Sequence, residues 1–452
     1  MTPLNVETLE ATNLRSASGV RWRILTLLFV ISMVTYLDRV NISIAATHMM
    51  REFNLSAPNM GKVFSAFVFA YGIFQLPGGW LGDRFGPRVV LSAAIAWWSL
   101  FTLLTALVAN IFPLSLLPII VSLIIVRFCL GVGEAAAFPN FNRTIANWIP
   151  ATKRAFASSV PLAGGGLGAA LTPPLIAWLI IEYGWRESFY ACAVLGLVVA
   201  GVWYWYSRDR ADQHTGVNEL ELNLIRGSSA SAAAPESLGQ GSKRKTPWSA
   251  ILSARNVWVL TLINFCCGYV VYIYLTWFYV YLVEARKLSF VQGSFYTTGP
   301  FIAITVMTPL GGALCDRAAR RFGKRIGRRL IGLCGMAVAG AALAAGAQIE
   351  NINLAIVALS LGAGAVFVSF AAQWVSTIDI CQPHAGVVSG IMNWGGNSGG
   401  MISPIVMPIL AQRWGWTVAL QIAAAVILLG SLLWWLLQAD KPINIGETEA
   451  RQ

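Results

Sequence analysis

Four ionisable residues, Asp38, Arg39, Arg127 and Glu134, lie deep within otherwise apolar stretches of this chain. A charge at the centre of a membrane helix costs roughly 2.5–3.5 kcal/mol, so four unpaired charges would cost on the order of 10 kcal/mol. The set sums to zero, and mutual pairing is the cheapest resolution. Arg127 and Glu134 are seven residues apart, which puts them on one helix face about 10 Å apart along the axis. Burial disfavours the charged form of each carboxyl group, while a neighbouring guanidinium favours it. Two chemistries fit such a set: a structural ion-pair network, or a site where an organic anion competes for an arginine and the released carboxylate takes a proton. All four charges lie in the first half of the chain. A structural clamp does not require that asymmetry, whereas a binding site with one charged and one polar wall produces it.

The elements that must position these residues are membrane helices. The 452 residues are 56% hydrophobic and only 12% charged, about half the roughly 25% of soluble domains. Twelve apolar runs reach the length of a span: 24–47, 58–81, 89–110, 113–139, 155–181, 188–206, 256–283, 290–314, 329–349, 353–378, 385–411 and 416–438. Of the 32 Lys and Arg residues, 24 fall on the side of the N-terminus and six on the other (Arg51, Lys62, Arg186, Arg286, Lys287 and Arg413). The largest clusters are Lys243-Arg244-Lys245 and the run from Arg317 to Arg329. This bias places both ends in the cytoplasm, and it explains the net charge of +12 without nucleic acid. The first 22 residues are polar and no signal-peptide cleavage site follows the first apolar run. Seven cysteines without a CxxC pair, and His48, His214 and His384 in separate places, predict neither disulfides nor a metal site. Gly164-Gly165-Gly166-Leu167-Gly168 lies inside a membrane run with no following Lys-Ser/Thr, so it reads as helix packing rather than phosphate binding.

The two halves repeat. Gly79-Trp80-Leu81-Gly82-Asp83-Arg84 matches Gly312-Ala313-Leu314-Cys315-Asp316-Arg317, an offset of 233 residues. Gly164, Gly165, Gly168 and Pro173 match Gly395, Gly396, Gly399 and Pro404, each at an offset of 231, as does Gly184-Trp185 with Gly415-Trp416. The expected organisation is a cytoplasmic tail (1–23), a six-helix bundle (24–206), a cytoplasmic linker (207–255), a second six-helix bundle (256–438) and a cytoplasmic tail (439–452). Within the linker, Asn218 to Arg226 reads as a short interfacial helix, and Gly227 to Ser242 as a flexible Ser/Ala/Gly-rich segment. Parallel repeats of this kind are a standard architecture of secondary transporters.

The GxLxDR loop after the second run, repeated after the eighth, resembles the signature of the major facilitator superfamily. Tyr36-Leu37-Asp38-Arg39-Val40-Asn41-Ile42-Ser43 and Arg127-Phe128-Cys129-Leu130-Gly131-Val132-Gly133-Glu134-Ala135 resemble its anion:cation symporter branch, and within it the bacterial carriers of hexuronates, glucarate and galactonate. The resemblance covers nearly the whole chain. It implies an all-α membrane protein of the major facilitator fold, with 12 transmembrane helices in two pseudo-symmetric six-helix bundles. It also implies Asp38 and Glu134 as protonation sites, Arg39 as a substrate contact and Arg127 near Glu134. Asp83 and Asp316, with Gly79, Arg84 and Arg317, are implied to form a gating latch that favours the outward-facing state.

The wall opposite the charges should be uncharged and hydrogen-bonding. Candidates are Asn264, Tyr269, Tyr272 and Tyr274 on helix seven, Gln373 and Ser376 on helix ten, and Asn393 and Asn397 on helix eleven. Tyr71 and Gln75 on helix two join them. Asn393, Tyr272 and Tyr71 match polar positions of the family's binding region. Trp277, Phe278, Tyr279 and Tyr281 read as an outer aromatic belt. The expected function is import of an organic anion, a sugar acid (hexuronate, aldonate or aldarate), by proton symport with alternating access. The protein is then no enzyme, needs no cofactor beyond the coupling proton, and works as a monomer in a bacterial inner membrane. Carriage of an aromatic or dicarboxylic acid, anion exchange, and a non-transporting sensor on the same scaffold are the alternatives.

Overall fold

The computed structural model describes residues 17–111, 114–150, 153–231, 248–381 and 385–438. The basic cluster at 243–245, His384, the tail 439–452 and most of the tail 1–23 and of the segment 227–242 lie outside the described residues. Among the described residues, ten helices are long and apolar enough to cross a membrane. Two of them, Phe290–Gln348 with 59 residues and Ala385–Leu433 with 49, are far too long for one crossing. At 1.5 Å per residue the longer would run about 88 Å, against a hydrocarbon core of about 30 Å. Each breaks at a glycine in the left-handed region, Gly323 (φ 79°) and Gly415 (φ 86°), a conformation that costs other residues a Cβ clash. Ten helices, two of them double, give twelve spans.

In chain order the first half comprises α1 (Val20–Glu52), α2 (Ala57–Phe85), α3 (Pro87–Leu107), α4 (Ile119–Trp148), α5 (Arg154–Glu182) and α6 (Trp185–Tyr206). The second comprises α7 (Arg255–Thr276), α8 (290–322), α9 (324–348), α10 (Ile352–Ile380), α11 (385–414) and α12 (416–433). Helix starts carry their signals. Ser289 and Gln292 form a capping box at α8, and the Asn351 side chain accepts from the Asn353 and Leu354 amides at α10. Both ends of the twelve-helix path lie on one face, here called proximal; the other is distal.

Packing repeats with the sequence. A Cβ on Gly164 or Gly168 of α5 would stand 2.3 or 2.4 Å from the carbonyl oxygens of Phe29 and Met33 on α1. A Cβ on Gly395 or Gly399 of α11 would stand 2.4 or 2.2 Å from those of Thr261 and Phe265 on α7. Each bundle is thus closed by the same small-residue contact, which lets backbones approach where no solvent drives association. The bundles meet along α2 against α11 and α5 against α8. At the distal end Ser43 Oγ donates to the Thr276 carbonyl (2.8 Å) and Ser65 Oγ to that of Met401 (2.7 Å).

One sequence expectation is corrected. Trp277, Phe278, Tyr279 and Tyr281 are 0–2% exposed and form no lipid-facing belt. The chain turns at Trp277 into a short helix, Phe278–Glu284, which folds these rings inward against α1 and Trp416. The Trp277 indole donates to the Pro404 carbonyl (2.9 Å). An aromatic run at a span's end has the same composition whether it faces lipid or a neighbouring helix, and only the turn decides.

The segment after α6 lies on the first bundle. Asp209 accepts from the Arg88 amide (2.8 Å), and a helix at Glu219–Ser231 buries Glu221 completely. That carboxylate accepts from the Val20 and Arg21 amides, both at 3.1 Å, and from the Ser18 hydroxyl. A carboxylate there satisfies orphan donors at the first turn of α1 and complements its dipole.

Candidate functional site

The site is built around Arg39, one face of α1 round from Asp38. Its guanidinium forms a hydrogen-bonded ion pair with Glu134 of α4. Three rings enclose it: Tyr71 at 4.3 Å, Tyr36 at 5.1 Å and Phe67 at 5.4 Å from the guanidinium carbon. Glu134 is fully buried and Arg39 8% exposed. Breaking such a pair by removing one member costs about 3–5 kcal/mol, yet the pair is incomplete. Arg39 Nη2 and Glu134 Oε2 are buried without hydrogen-bond partners, which leaves one donor and one acceptor of the pair unsatisfied.

Asp38 points the other way, into the first bundle. It is 2% exposed, with Thr102 of α3 beside it and Glu134 and Arg127 as charged neighbours. Arg127, also 2% exposed, stands within electrostatic reach of Glu134 and Asp38 and over the ring of Phe67 at 5.1 Å. The four charges come within electrostatic reach of one another, but only Arg39 and Glu134 pair directly; both Asp38 carboxylate oxygens and Arg127 Nε are buried without hydrogen-bond partners.

Why Glu134 sits there is a local matter. The helix that begins at Ile119 ends at Glu134, and a second begins at Ala137. Pro139 has no amide hydrogen to give the Ala135 carbonyl and its ring crowds that group, which breaks the helix. Beside the break, the Asn140 side chain donates to the carbonyls of Ala136 (2.7 Å) and of Gly78 on α2 (3.2 Å), tying the two helices together. The carboxylate thus stands at a helix C-terminus, where the dipole favours a cation and so favours the approach of Arg39. The break was not read from the sequence, although Pro139 signals it.

The facing wall separates into two groups. Tyr272 of α7 stands within electrostatic reach of Arg39, Tyr71, Tyr36 and Glu134. Asn393 of α11 donates to Gln75 of α2 (3.0 Å), and Asn397 packs against Gly72. These residues lie on the seam between bundles. Gln373 does not. It is fully buried, accepts from Asn264 (2.8 Å) and donates to Ser369 (3.2 Å) and the Cys267 sulfur (3.3 Å), all within the second bundle. Tyr274 donates to the Leu359 carbonyl and Ser376 to that of Ala372, so these too are held by their own half. Tyr269 is 5% exposed.

The repeated loops lie at the proximal ends. Asp83 pairs with Arg143 of α4, Gly79 abuts Pro139, and Arg84 lies over the rings of Trp80 and Phe85. In the second half Asp316 pairs with Arg328 (3.4 Å), and Asp379 at the end of α10 pairs with Arg328 (3.3 Å) and Lys324 (2.8 Å). Arg317 is exposed. The pairs of Asp83, Asp316 and Asp379 each stay within one bundle. Arg143, Arg328 and Asp379 were missed as partners, because charges near helix ends look like solvated ends in a sequence. Among the described residues there is no cluster of His, Cys, Asp or Glu fit for a metal, and none of the seven cysteines forms a disulfide. A cleft of about 350 Å³ opens on the distal face, lined by Thr47, Arg51, Glu284 and Gln412 among others. It lies away from the four charges.

Known proteins share this architecture. The chain is 33% identical over 420 residues to a probable sulfoacetate transporter of Cupriavidus necator, covering 91% of this chain and 92% of that one. It is 32% identical over 418 residues to a probable galactarate/D-glucarate transporter of Escherichia coli (90% of each chain). A D-galactonate transporter of Escherichia coli is 30% identical over 427 residues (93% and 96%). Among solved structures, a bacterial homologue of the human lysosomal transporter Spinster superposes with a TM-score of 0.74 at 16% identity, covering 93% and 97%. A D-xylose-proton symporter gives 0.71 at 16% identity (93% and 98%). The model of the Major Facilitator Superfamily matches residues 28–378 and 319–452. With twelve spans in two repeated bundles, the first of which carries four buried charges, the chain belongs to the Major Facilitator Superfamily of membrane transporters.

Proposed function

We propose that this protein imports an organic anion, a sugar acid, together with protons, by alternating access between its two bundles. The observation that carries this reading is the incomplete Arg39–Glu134 pair, enclosed by Tyr36, Phe67 and Tyr71 and faced by Tyr272. A carboxylate binding the idle edge of Arg39 competes with Glu134 for the guanidinium. Glu134, buried and losing its cation, then takes a proton, so the loaded site carries little net charge through the membrane. Asp38, beside Arg127, is the second protonation site. Tyr71, Gln75, Tyr272, Asn393 and Asn397 supply hydrogen bonds that a polyhydroxylated chain requires. Gln373 supports that wall from behind. The galactarate/D-glucarate and galactonate carriers among the relatives support the substrate class.

The basic asymmetry of the loops supports a cytoplasmic proximal face and an inner-membrane location. With that orientation, hydrogen bonds closing the distal end, while among the described residues Asp83 and Asp316 pair within their own bundles, correspond to an inward-facing state. Asp83 and Asp316, with Gly79, Arg84 and Arg317, then act when the proximal ends close. The bundles 24–206 and 256–438 are the moving bodies, and a monomer suffices.

A second reading has specific support. Two guanidinium groups close together suit a small dianion, and the sulfoacetate relative is 33% identical. The test is uptake of labelled D-glucarate, galactonate, glucuronate and sulfoacetate by proteoliposomes, with and without an inward pH gradient. Gradient-driven accumulation of a sugar acid is expected. Accumulation of sulfoacetate alone would move the substrate to sulfonates. Uptake stimulated by internal anion, and indifferent to pH, would make the protein an exchanger.

A further inference from the structure

Phe67 of α2 is 4% exposed, and neither ion pairing nor hydrogen bonding gives it a task. Its ring is shared between two cations, at 5.4 Å from the Arg39 guanidinium carbon and 5.1 Å from that of Arg127. Tyr71, one turn on, stacks on it at 5.9 Å with 22° between the planes. Its backbone is also fixed: a Cβ on Gly131 of α4 would stand 2.5 Å from the Phe67 carbonyl oxygen, so α2 and α4 touch there. An aromatic ring attracts a guanidinium most strongly where water is excluded, and two guanidiniums in a low dielectric repel each other. A ring serving both therefore makes the position of one depend on the other.

The charged and titratable groups around the pair are few. Arg39 faces Glu134, Tyr36, Tyr71 and Tyr272; Arg127 faces Glu134, Asp38 and Arg39; Asp38 faces Glu134, Arg127 and Cys192 of α6. Arg39 thus has a paired carboxylate on one side and Phe67 on another, while Arg127 has Phe67 at its guanidinium and the charges of Glu134 and Asp38 within electrostatic reach. We propose that Phe67 is a positioning residue that carries the displacement of Arg39 to Arg127, so that an anion captured at Arg39 changes how firmly Asp38 holds its proton. When the anion draws Arg39 off the ring, Arg127 has the ring to itself and meets less repulsion there. It shifts towards Phe67 and away from Asp38, whose carboxylate then binds a proton. This inference rests on the proton-coupled reading above and adds a link between the two carboxyl groups.

The experiment compares wild type with Phe67→Leu and Phe67→Tyr in proteoliposomes, using labelled D-glucarate and sulfoacetate over a series of external pH values. Protons entering per anion are counted in parallel. Phe67→Leu is expected to move the pH of half-maximal uptake by roughly half a unit or more and to lower the proton count. Phe67→Tyr, which keeps the ring, is expected to retain the wild-type pH profile and proton count, whatever its rate. A Phe67→Leu protein that is slower but has the wild-type pH profile and proton count would overturn the inference, because packing alone would then explain the residue. If Phe67→Leu does not fold, Phe67→Met, of similar volume and without a ring, is scored in the same way. A wild type indifferent to pH would overturn the proton-coupled reading itself, whereas an unchanged variant beside a pH-dependent wild type overturns this link alone.

Discussion

Arg39 is a guanidinium by necessity, not merely a cation. It holds Glu134 on one edge, keeps Nη2 without a partner and lies against three rings. A lysine would keep the charge but lose the planar fork and the stacking. Arg39→Lys is therefore expected to raise KM for the transported anion by about tenfold or more, with wild-type amounts of folded protein in the membrane. Initial-rate uptake checks this, and an unchanged KM would remove Arg39 from the binding site. At this scale much was legible in the sequence. Four charges in apolar runs must meet, and Asp38, Arg39, Arg127 and Glu134 do. The partner of each was not legible, since adjacent residues on a helix point about 100° apart. That divergence sends Arg39 to the seam and Asp38 into the bundle. The rings of Tyr36 and Phe67 were not legible either, because aromatic residues in a membrane helix look alike whether they face lipid, core or cation.

Helices and their contacts explain which polar residues face the site. Gln373 is tied to Asn264, Ser369 and Cys267 inside the second bundle, while Asn393 reaches across to Gln75. Gln373→Leu should therefore lower the melting temperature of purified protein and leave the ranking of substrates unchanged. Asn393→Ala should change KM and leave the melting temperature within about a degree or two. Equal effects of both on substrate ranking would place Gln373 at the site. The repeated glycines make a second expectation. Gly164→Val and Gly399→Val each drive a side chain into a carbonyl of the paired helix, and both should destabilise their bundle by roughly 1–3 kcal/mol or more. Thermal melting in detergent measures this. Equal stability of both variants with wild type would mean that the close contacts do not hold. The offset of 231 residues showed in advance that these glycines are equivalent, but not that each pair closes on the first helix of its bundle. Neither the break at Glu134 nor the inward turn at Trp277 was foreseen, because single residues, Pro139 and Trp277, set them.

The whole molecule is two repeated six-helix bundles, the first of which carries the four buried charges. Its distal ends are joined by Ser43 to Thr276 and by Ser65 to Met401, while the ion pairs of the proximal loops stay within bundles. Alternating access requires the distal seam to open. Ser43→Cys with Thr276→Cys, in a Cys334→Ser background that removes the exposed native thiol, should lose transport on oxidation and regain it with reductant. Full transport by a verified cross-linked protein would mean that this seam does not part. The span count and the repeat made the architecture readable from composition and spacing, since few structures can cross a bilayer. The state of the seam is a property of tertiary contacts and left no mark in the sequence. The most direct test of coupling at the central site is Glu134→Gln in proteoliposomes, assayed for D-glucarate accumulation down a pH gradient and for counterflow without one. Loss of gradient-driven accumulation with retained counterflow is the predicted result; accumulation as steep as that of wild type would contradict the assignment of Glu134 as a proton carrier.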